Sequence, residues 1–235
     1  MKRKKYLHIL LLLGILLAIF YCNLYFQKGI LFEDSFLKLS KGINGYEYSG
    51  TAYGEHIQII AKEDKKSSNT TAITYSIGDW YYKTYTVNVL KSSAVNTDIN
   101  IYENNNLLFE GTYKRNSGFL LWDKKGEPVW DITTTFNNQS PFNAAYNVSK
   151  SEIVTTAFKN NIMIRGNGAL LVLAIFIILY LAIDIKWPRL IFMWRHSLSV
   201  NNPEPSDFYL AAQRMSWYVG SLITLCILIA SLFVH

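Results

Sequence analysis

Cysteine is scarce in this sequence, and none lies in its long polar middle. Of 235 residues only Cys22 and Cys226 are cysteines, and both lie within or at the end of hydrophobic runs. Residues 27–160 therefore lack the thiol groups that a disulfide, a zinc-thiolate site or a cysteine nucleophile requires. Since exported domains without disulfides are commoner in Gram-positive bacteria than in eukaryotic secretion, this absence favours a Gram-positive protein.

Histidine and the common catalytic motifs are equally scarce in this middle stretch. His56 is its only histidine, which excludes a histidine metal cluster there and leaves a serine triad without neighbouring partners in sequence. Asp123, Glu127 and Asp131 offer the paired carboxylates of a hydrolase, but on a hairpin such residues more often form a solvated face. The sequence also lacks a glycine-rich phosphate loop and an activated serine motif. We therefore predict a non-enzymatic protein without metal or cofactor, with an envelope hydrolase as an alternative.

What the sequence does contain is three long hydrophobic runs, at residues 6–26, 169–185 and 217–234. An α-helix rises ~1.5 Å per residue, so each run has about the length that crosses a ~30 Å hydrocarbon core. We predict three transmembrane helices, over residues 6–26, 169–187 and 215–235.

The first of these runs has the form of a signal anchor. A basic tail, residues 1–5, leads directly into the apolar run, as in a secretory signal. The small residues of a cleavage site are missing, and the bulky Tyr21 precedes Cys22 where a lipoprotein site needs a small residue. We predict an uncleaved helix with Tyr21, Tyr25 and Phe26 as its outer aromatic belt.

Positive charge is concentrated outside the polar middle. The formal net charge is +6, residues 2–5 are all basic, and residues 188–214 also carry a basic excess. The positive-inside rule places the amino terminus and the 188–214 loop in the cytoplasm and residues 27–160 outside the membrane. Basic residues at these places suit anionic lipid headgroups, so we predict the lipid bilayer as a partner and no nucleic acid. The predicted membrane-interface anchors are Lys2, Arg3, Lys4, Lys5, Trp187, Arg189, Trp194, Arg195 and Trp217.

Residues 27–148 have the pattern of a β-rich domain. Between residues 46 and 132 apolar residues alternate with polar ones and are interrupted by turn residues, which is typical of half-buried antiparallel strands. The fold class we predict is membrane α plus all-β. The β domain is expected to be a meander of about six to eight strands closing into an antiparallel β-sandwich or small barrel, outside the cytoplasm.

Helix-boundary signals surround the second and third hydrophobic runs. A capping box begins at Ser149 and predicts a juxtamembrane amphipathic helix and hinge over residues 149–168. Pro188 is expected to break the helix that leaves the bilayer, so residues 188–214 are predicted to form a cytoplasmic interfacial loop. Ser206 is the predicted N-cap of the last helix.

The β domain is rich in aromatic residues, and alternation along the strands must turn some of them outward. Amphipathic rings bind carbohydrate or peptide well at exposed surfaces, whereas core and cross-strand packing is the plainer interpretation. The candidate binding surface consists of Trp80, Tyr82, Tyr102, Trp122 and Trp130.

One part of the chain resembles a known group of proteins. Trp187, the run Glu204-Pro205-Ser206, Tyr209 and Arg214, followed by a hydrophobic helix, resemble the linker of small uncharacterised two-helix membrane proteins of Gram-positive bacteria. The resemblance covers residues 187–235 only. It implies a membrane topology and a bacterial class, and no biochemical activity.

Together these features predict a membrane-anchored cell-surface protein whose β domain binds or senses an envelope component or a protein partner. The alternative is an accessory or immunity-type subunit of a membrane complex, in which the helical bundle carries the function. That alternative predicts small or polar contacts between helices, for which the sequence offers Gly14, Gly220, Ser221 and Ser231.

Overall fold

The structure is a computed structural model that describes residues 2–42, 45–63, 69–115, 120–131, 140–196 and 204–234. The side chains of residues 2–7, 10, 11, 195 and 196 lie outside this description. The chain forms two compact units, one made of Met1–Gln27 and Ile164–His235, and the other of Lys28–Met163.

The elements follow one another in a simple order. They are α1 (Lys2–Tyr25), β1 (Lys28–Phe32), β2 (Ser35–Gly42), β3 (Gly45–Ala52), β4 (Glu55–Glu63), β5 (Thr70–Ile77), β6 (Tyr81–Ser92), β7 (Asn96–Glu103), β8 (Asn106–Lys114), β9 (Leu121–Asp123), α2 (Lys150–Ala157), β10 (Met163–Ile164), α3 (Gly168–Lys186), α4 (Leu190–His196) and α5 (Asp207–Ala230).

Strands β1 to β9 form one antiparallel meander in which each strand pairs with the next. The two-residue strand β10 borders β1, so the sheet has ten strands in the order β10-β1-β2-β3-β4-β5-β6-β7-β8-β9. The prediction of an antiparallel β domain is confirmed. The prediction of a sandwich or small barrel is wrong, because the described strands make a single sheet whose end strands, β10 and β9, do not pair with each other.

One face of this sheet forms the core of the domain. Alternate residues point inward, so that Tyr48, Ile59, Tyr75 and Tyr85 from adjacent strands lie at 1% exposure or less. Helix α2 and the segment before it pack on the same face, burying Tyr146, Val148, Ile153 and Val154 in the shared cluster. A helix therefore occupies the place where a sandwich would have its second sheet.

The sequence signals for helix starts are confirmed at two places. The Ser149 hydroxyl accepts a hydrogen bond from the Glu152 backbone N–H at 3.2 Å and caps α2. The Ser206 hydroxyl likewise accepts from the Tyr209 N–H at 3.2 Å and caps α5. A capping oxygen satisfies one of the free N–H groups of a helix start, which explains why both helices begin where they do.

Two helices of the other unit are long and apolar enough to cross a membrane. Helices α3 and α5 have 19 and 24 residues, with peak mean hydropathies of 2.7 and 1.2, and only 11% of each apolar window is buried. The core helix of a water-soluble protein would be mostly buried, so this exposure favours membrane association. In α1 the described apolar part, Leu12–Tyr25, is shorter, so three membrane spans are not shown.

Candidate functional site

Three of the five candidate aromatic residues share the outer face of the sheet, opposite the core. Tyr82 follows the inward Tyr81 on β6 and is 75% exposed. Tyr102 pairs with Thr86 across β6 and β7, and Trp122 on β9 pairs with Thr112. Along the strand direction, Tyr82 lies four residues from the row that contains Tyr102, and Tyr102 lies four residues from the row that contains Trp122. Four residues of a strand span about 13 Å. The three residues therefore share a face without forming one compact patch.

Trp80 and Trp130 lie outside strands β1 to β9. Trp80 occupies the turn between β5 and β6 and is 44% exposed. Its ring lies 5.6 Å from that of Tyr81 and 6.3 Å from that of Phe142, so one side of Trp80 is engaged in packing. Trp130 follows β9 and is 69% exposed. The structure thus supports the packing interpretation at Trp80 and leaves Tyr82 and Trp130 as the most exposed members of the set.

Of the three carboxylates considered for a hydrolase, those of Asp123 and Asp131 accept hydrogen bonds from backbone N–H groups. The Asp123 carboxylate accepts hydrogen bonds from the N–H groups of Lys125 at 2.9 Å and Glu127 at 2.8 Å, which closes the turn after β9. The Asp131 carboxylate accepts from the Lys150 N–H at the start of α2. Such bonds stabilise turns and helix starts. These carboxylates therefore have a structural role.

A second pair of carboxylates, which the sequence does not reveal, meets where α2 packs on the sheet. Glu33, in the turn between β1 and β2, accepts a 2.8 Å hydrogen bond from the Tyr146 hydroxyl. Burial, and then the nearby charge of Glu33, raise the pKa of Glu152 from 4.5 to about 8. Burial followed by the charge of Glu33 also raises the pKa of Tyr146. This cluster can therefore hold a proton on Glu152 at neutral pH.

In the helical unit a buried polar cluster joins α3 to α5. Asp184 is 3% exposed, and its carboxylate accepts hydrogen bonds from Gln213 Nε2 and Trp217 Nε1, each at 2.6 Å. Gln213 Nε2 also donates to the Pro188 carbonyl at 2.8 Å, while Gln213 Oε1 is buried with no partner among the described residues. Because Gln213 and Trp217 are four residues apart, they present one face of α5 to Asp184. The sequence identified Trp217 only as an interface anchor and missed this contact.

Polar and small residues make further contacts among α1, α3 and α5, both beside this cluster and at the other ends of α3 and α5. The Tyr21 hydroxyl lies 2.8 Å from the Ser231 hydroxyl, and the Asn167 N–H donates to the Ser231 carbonyl at 2.8 Å. A methyl group at Gly220 would lie 3.0 Å from Leu181, so α3 and α5 approach closely there. Of the predicted small-residue handles, Gly220 and Ser231 make such contacts. In the described part of the chain, Gly14 has nothing within 4 Å of its Cβ position, and Ser221 is exposed.

The predicted interface anchors at the end of α3 and on the segment that follows it are exposed. Trp187 ends α3 at 48% exposure with the Lys186 ammonium 4.4 Å from its ring centroid, and Trp194 on α4 is 81% exposed. Arg189 is exposed as well. The side chains of residues 2–5 and of Arg195 lie outside the described part of the chain.

The comparisons with known proteins concern the helical unit alone. No curated protein and no solved structure matches the chain. A family of unknown function (DUF6199) matches residues 173–233, a range that includes Asp184, Gln213 and Trp217. An uncharacterised family in the carboxyl-terminal quarter is what the sequence resemblance led us to expect, and the chain is similar to that family over this range.

Proposed function

We propose that this protein is a membrane-anchored cell-surface protein whose β domain binds an envelope component. In this proposal α1 is an uncleaved signal anchor with its amino terminus in the cytoplasm, and α3 and α5 complete a three-pass anchor. The basic residues at positions 2–5 and in the loop after α3 support this orientation through the positive-inside rule.

The contacts within the helical unit support three passes. Tyr21 and Tyr25, at the carboxyl end of α1, contact Ser231 and Gly166, which lie at the end of α5 and just before α3. The outer ends of the three helices are thereby joined, so α1 and α5 run one way and α3 runs the other. An alternating arrangement of this kind is what consecutive membrane crossings produce.

The observation that carries the binding proposal is the contrast between the two faces of the sheet. The inner face is largely covered by its own aromatic and aliphatic side chains and by α2. The outer face is polar and carries the Tyr82 ring at 75% exposure, with the Tyr102 and Trp122 rings partly exposed. Aromatic rings with one polar end suit binding surfaces, so a ligand is expected on the outer face.

A second function is favoured by a separate observation. Gln213 Oε1 is buried and has no hydrogen-bond partner among the residues that the structure describes, and the family match covers the helix pair to which it belongs. A buried polar atom within a membrane helix frequently marks a functional contact. The alternative proposal is therefore an accessory or immunity-type subunit, in which the helices contact another membrane protein.

Photo-crosslinking in intact cells separates these two proposals. A photoreactive amino acid replaces Tyr82 on the outer face of the sheet in one version of the full chain, and Leu225, which is 54% exposed on α5, in another. Adducts with an envelope component at position 82 support the binding proposal. Adducts with a membrane protein at position 225 alone favour the accessory subunit and contradict the first proposal. The absence of any adduct at position 82 also contradicts the first proposal.

A further inference from the structure

A shallow polar groove lies at one end of the outer face of the sheet. Its volume is about 320 Å³, and it is formed where the ends of β6, β7 and β8 meet. The lining residues are Lys91, Ser93, Asn96, Asp98, Thr112 and Lys114.

Strand register explains why these side chains lie together. Lys91 pairs with Asp98 and Asp98 pairs with Thr112, and the same cross-strand row continues to Trp122 on β9. Asn96 pairs with Lys114 two residues further along, on the same face. Since residues two apart on a strand share a face, the groove is built from two adjacent rows of one surface.

A β-bulge on β6 turns Lys91 toward this groove. Earlier on the strand the odd-numbered residues point inward, as Tyr85 and Val87 do. The register shifts between Val89 and Lys91, so that Val89 pairs with the inward Ile99 while Lys91 pairs with Asp98. One extra residue in a strand reverses the faces of all residues after it. Without the bulge, Lys91 would point into the core.

The charges in the groove favour an anion. Lys91 is exposed, and neither Lys91 nor Lys114 has a carboxylate within 4.0 Å among the residues that the structure describes. The Lys114 ammonium lies 3.6 Å from the centroid of the Trp122 ring. Asp98, the only acid in the lining, accepts a 2.9 Å hydrogen bond from the Thr112 hydroxyl. Two ammonium groups thus face one carboxylate whose charge is partly satisfied.

We propose that this groove binds a segment of an anionic, hydroxyl-bearing polymer, such as a polyol phosphate. Lysine ammonium groups bind phosphate oxygens as point charges, and the hydroxyl and amide groups of Ser93, Asn96 and Thr112 can exchange hydrogen bonds with polyol hydroxyls. A shallow open groove suits an extended chain better than a small molecule, which needs to be enclosed. This inference rests on the proposed surface function and names its ligand class.

The test measures binding to the full-length protein in phosphatidylcholine nanodiscs by titration calorimetry. The probes are a short glycerol-phosphate oligomer, inorganic phosphate and an uncharged glucose oligomer of matched length. We expect the glycerol-phosphate oligomer to bind tighter than either of the others. The double variant Lys91→Gln/Lys114→Gln should weaken that binding at least about tenfold, because charge-assisted contacts are lost.

Two further variants test whether the groove itself is the binding site. Lys124→Gln removes another exposed lysine, which pairs with Glu110 at 2.7 Å outside the groove, and should leave oligomer binding unchanged. Asp98→Asn removes the only acid of the lining and should tighten binding severalfold, even if the double lysine variant does not fold.

Several results would overturn the groove inference. These are equal binding of the glucose oligomer, equal binding of inorganic phosphate, no binding of any probe, or an equal loss in Lys124→Gln. Failure here, combined with envelope adducts at position 82, would remove the groove as the binding site and leave the surface function standing.

Discussion

At the scale of single residues, Glu152 makes the stability of the β domain depend on pH. Burial and Glu33 raise its pKa from 4.5 to about 8, so the folded chain holds a proton that the unfolded chain releases above about pH 4.5. Because the pKa of this carboxyl is higher in the folded chain than in the unfolded chain, the folded state is favoured most at pH values below the pKa of the unfolded chain. This stability is lost as the pH rises from about 4.5 to about 8.

The variant Glu152→Gln is therefore expected to flatten this pH profile. A neutral amide of the same size removes the penalty of ionising a partly buried acid, so the free energy of unfolding at pH 8 should rise by on the order of 2 kcal/mol. Urea unfolding of the full chain in mild detergent at several pH values measures it. Glu127→Gln, at an exposed turn position, is the matched control and should keep the original slope. A Glu152→Gln profile as steep as that of the unaltered chain would contradict the account.

The Tyr25 ring leaves no room for a side chain at Gly166. A Cβ atom there would lie 2.1 Å from the Tyr25 ring, whereas at Gly14 it would meet no described atom within 4 Å. Gly166→Ala is expected to destabilise the helical unit by about 1–3 kcal/mol through overpacking. Gly14→Ala should be neutral or slightly stabilising because alanine favours helix. Thermal unfolding of both variants in the same detergent measures the difference, and equal melting temperatures would show that the ring does not restrict this position.

At the scale of elements, the contact between α3 and α5 depends on a hydrogen-bonded carboxylate. Removing Asp184 takes away the acceptor of Trp217 Nε1 and one of the two acceptors of Gln213 Nε2. We expect Asp184→Ala to cost about 1–2 kcal/mol of helix-pair stability.

A double-mutant cycle isolates that contact. Asp184→Ala and Gln213→Leu together should be less destabilising than the sum of the single changes by at least about 0.5 kcal/mol. Ser221→Ala, at an exposed position of α5, serves as the control and should change nothing. Strict additivity of the two single changes would show that the 2.6 Å contact contributes nothing to pairing.

Local features of this structure are predictable from the sequence, whereas contacts between distant residues are not. Period-two alternation identified the strands, and the serines at 149 and 206 identified two helix starts, because both signals are local. Alternation says which face is buried and nothing about what covers it, so α2 was not recognised as the cover of a single sheet. The contacts Glu33–Tyr146 and Asp184–Gln213 join residues far apart in sequence, and no local pattern encodes them. The bulge before Lys91 is also invisible to a pattern that assumes uniform alternation.

The whole molecule divides into an apolar helical unit and a polar β domain. Exposed apolar side chains cover α3 and α5, and in water this much apolar surface would drive association. The β domain has its own core and a polar outer face. This division explains a surface protein only if the β domain lies on the opposite side of the membrane from the loop between α3 and α5.

Cysteine labelling of intact cells tests that arrangement most directly. In a full chain with Cys22→Ser and Cys226→Ser, one version carries Asp79→Cys at the exposed turn before β6. The other carries Glu204→Cys at an exposed position just before α5. A membrane-impermeant maleimide should label position 79 on intact cells and position 204 only after the cells are opened. Labelling of position 204 but not of position 79 on intact cells would contradict the account.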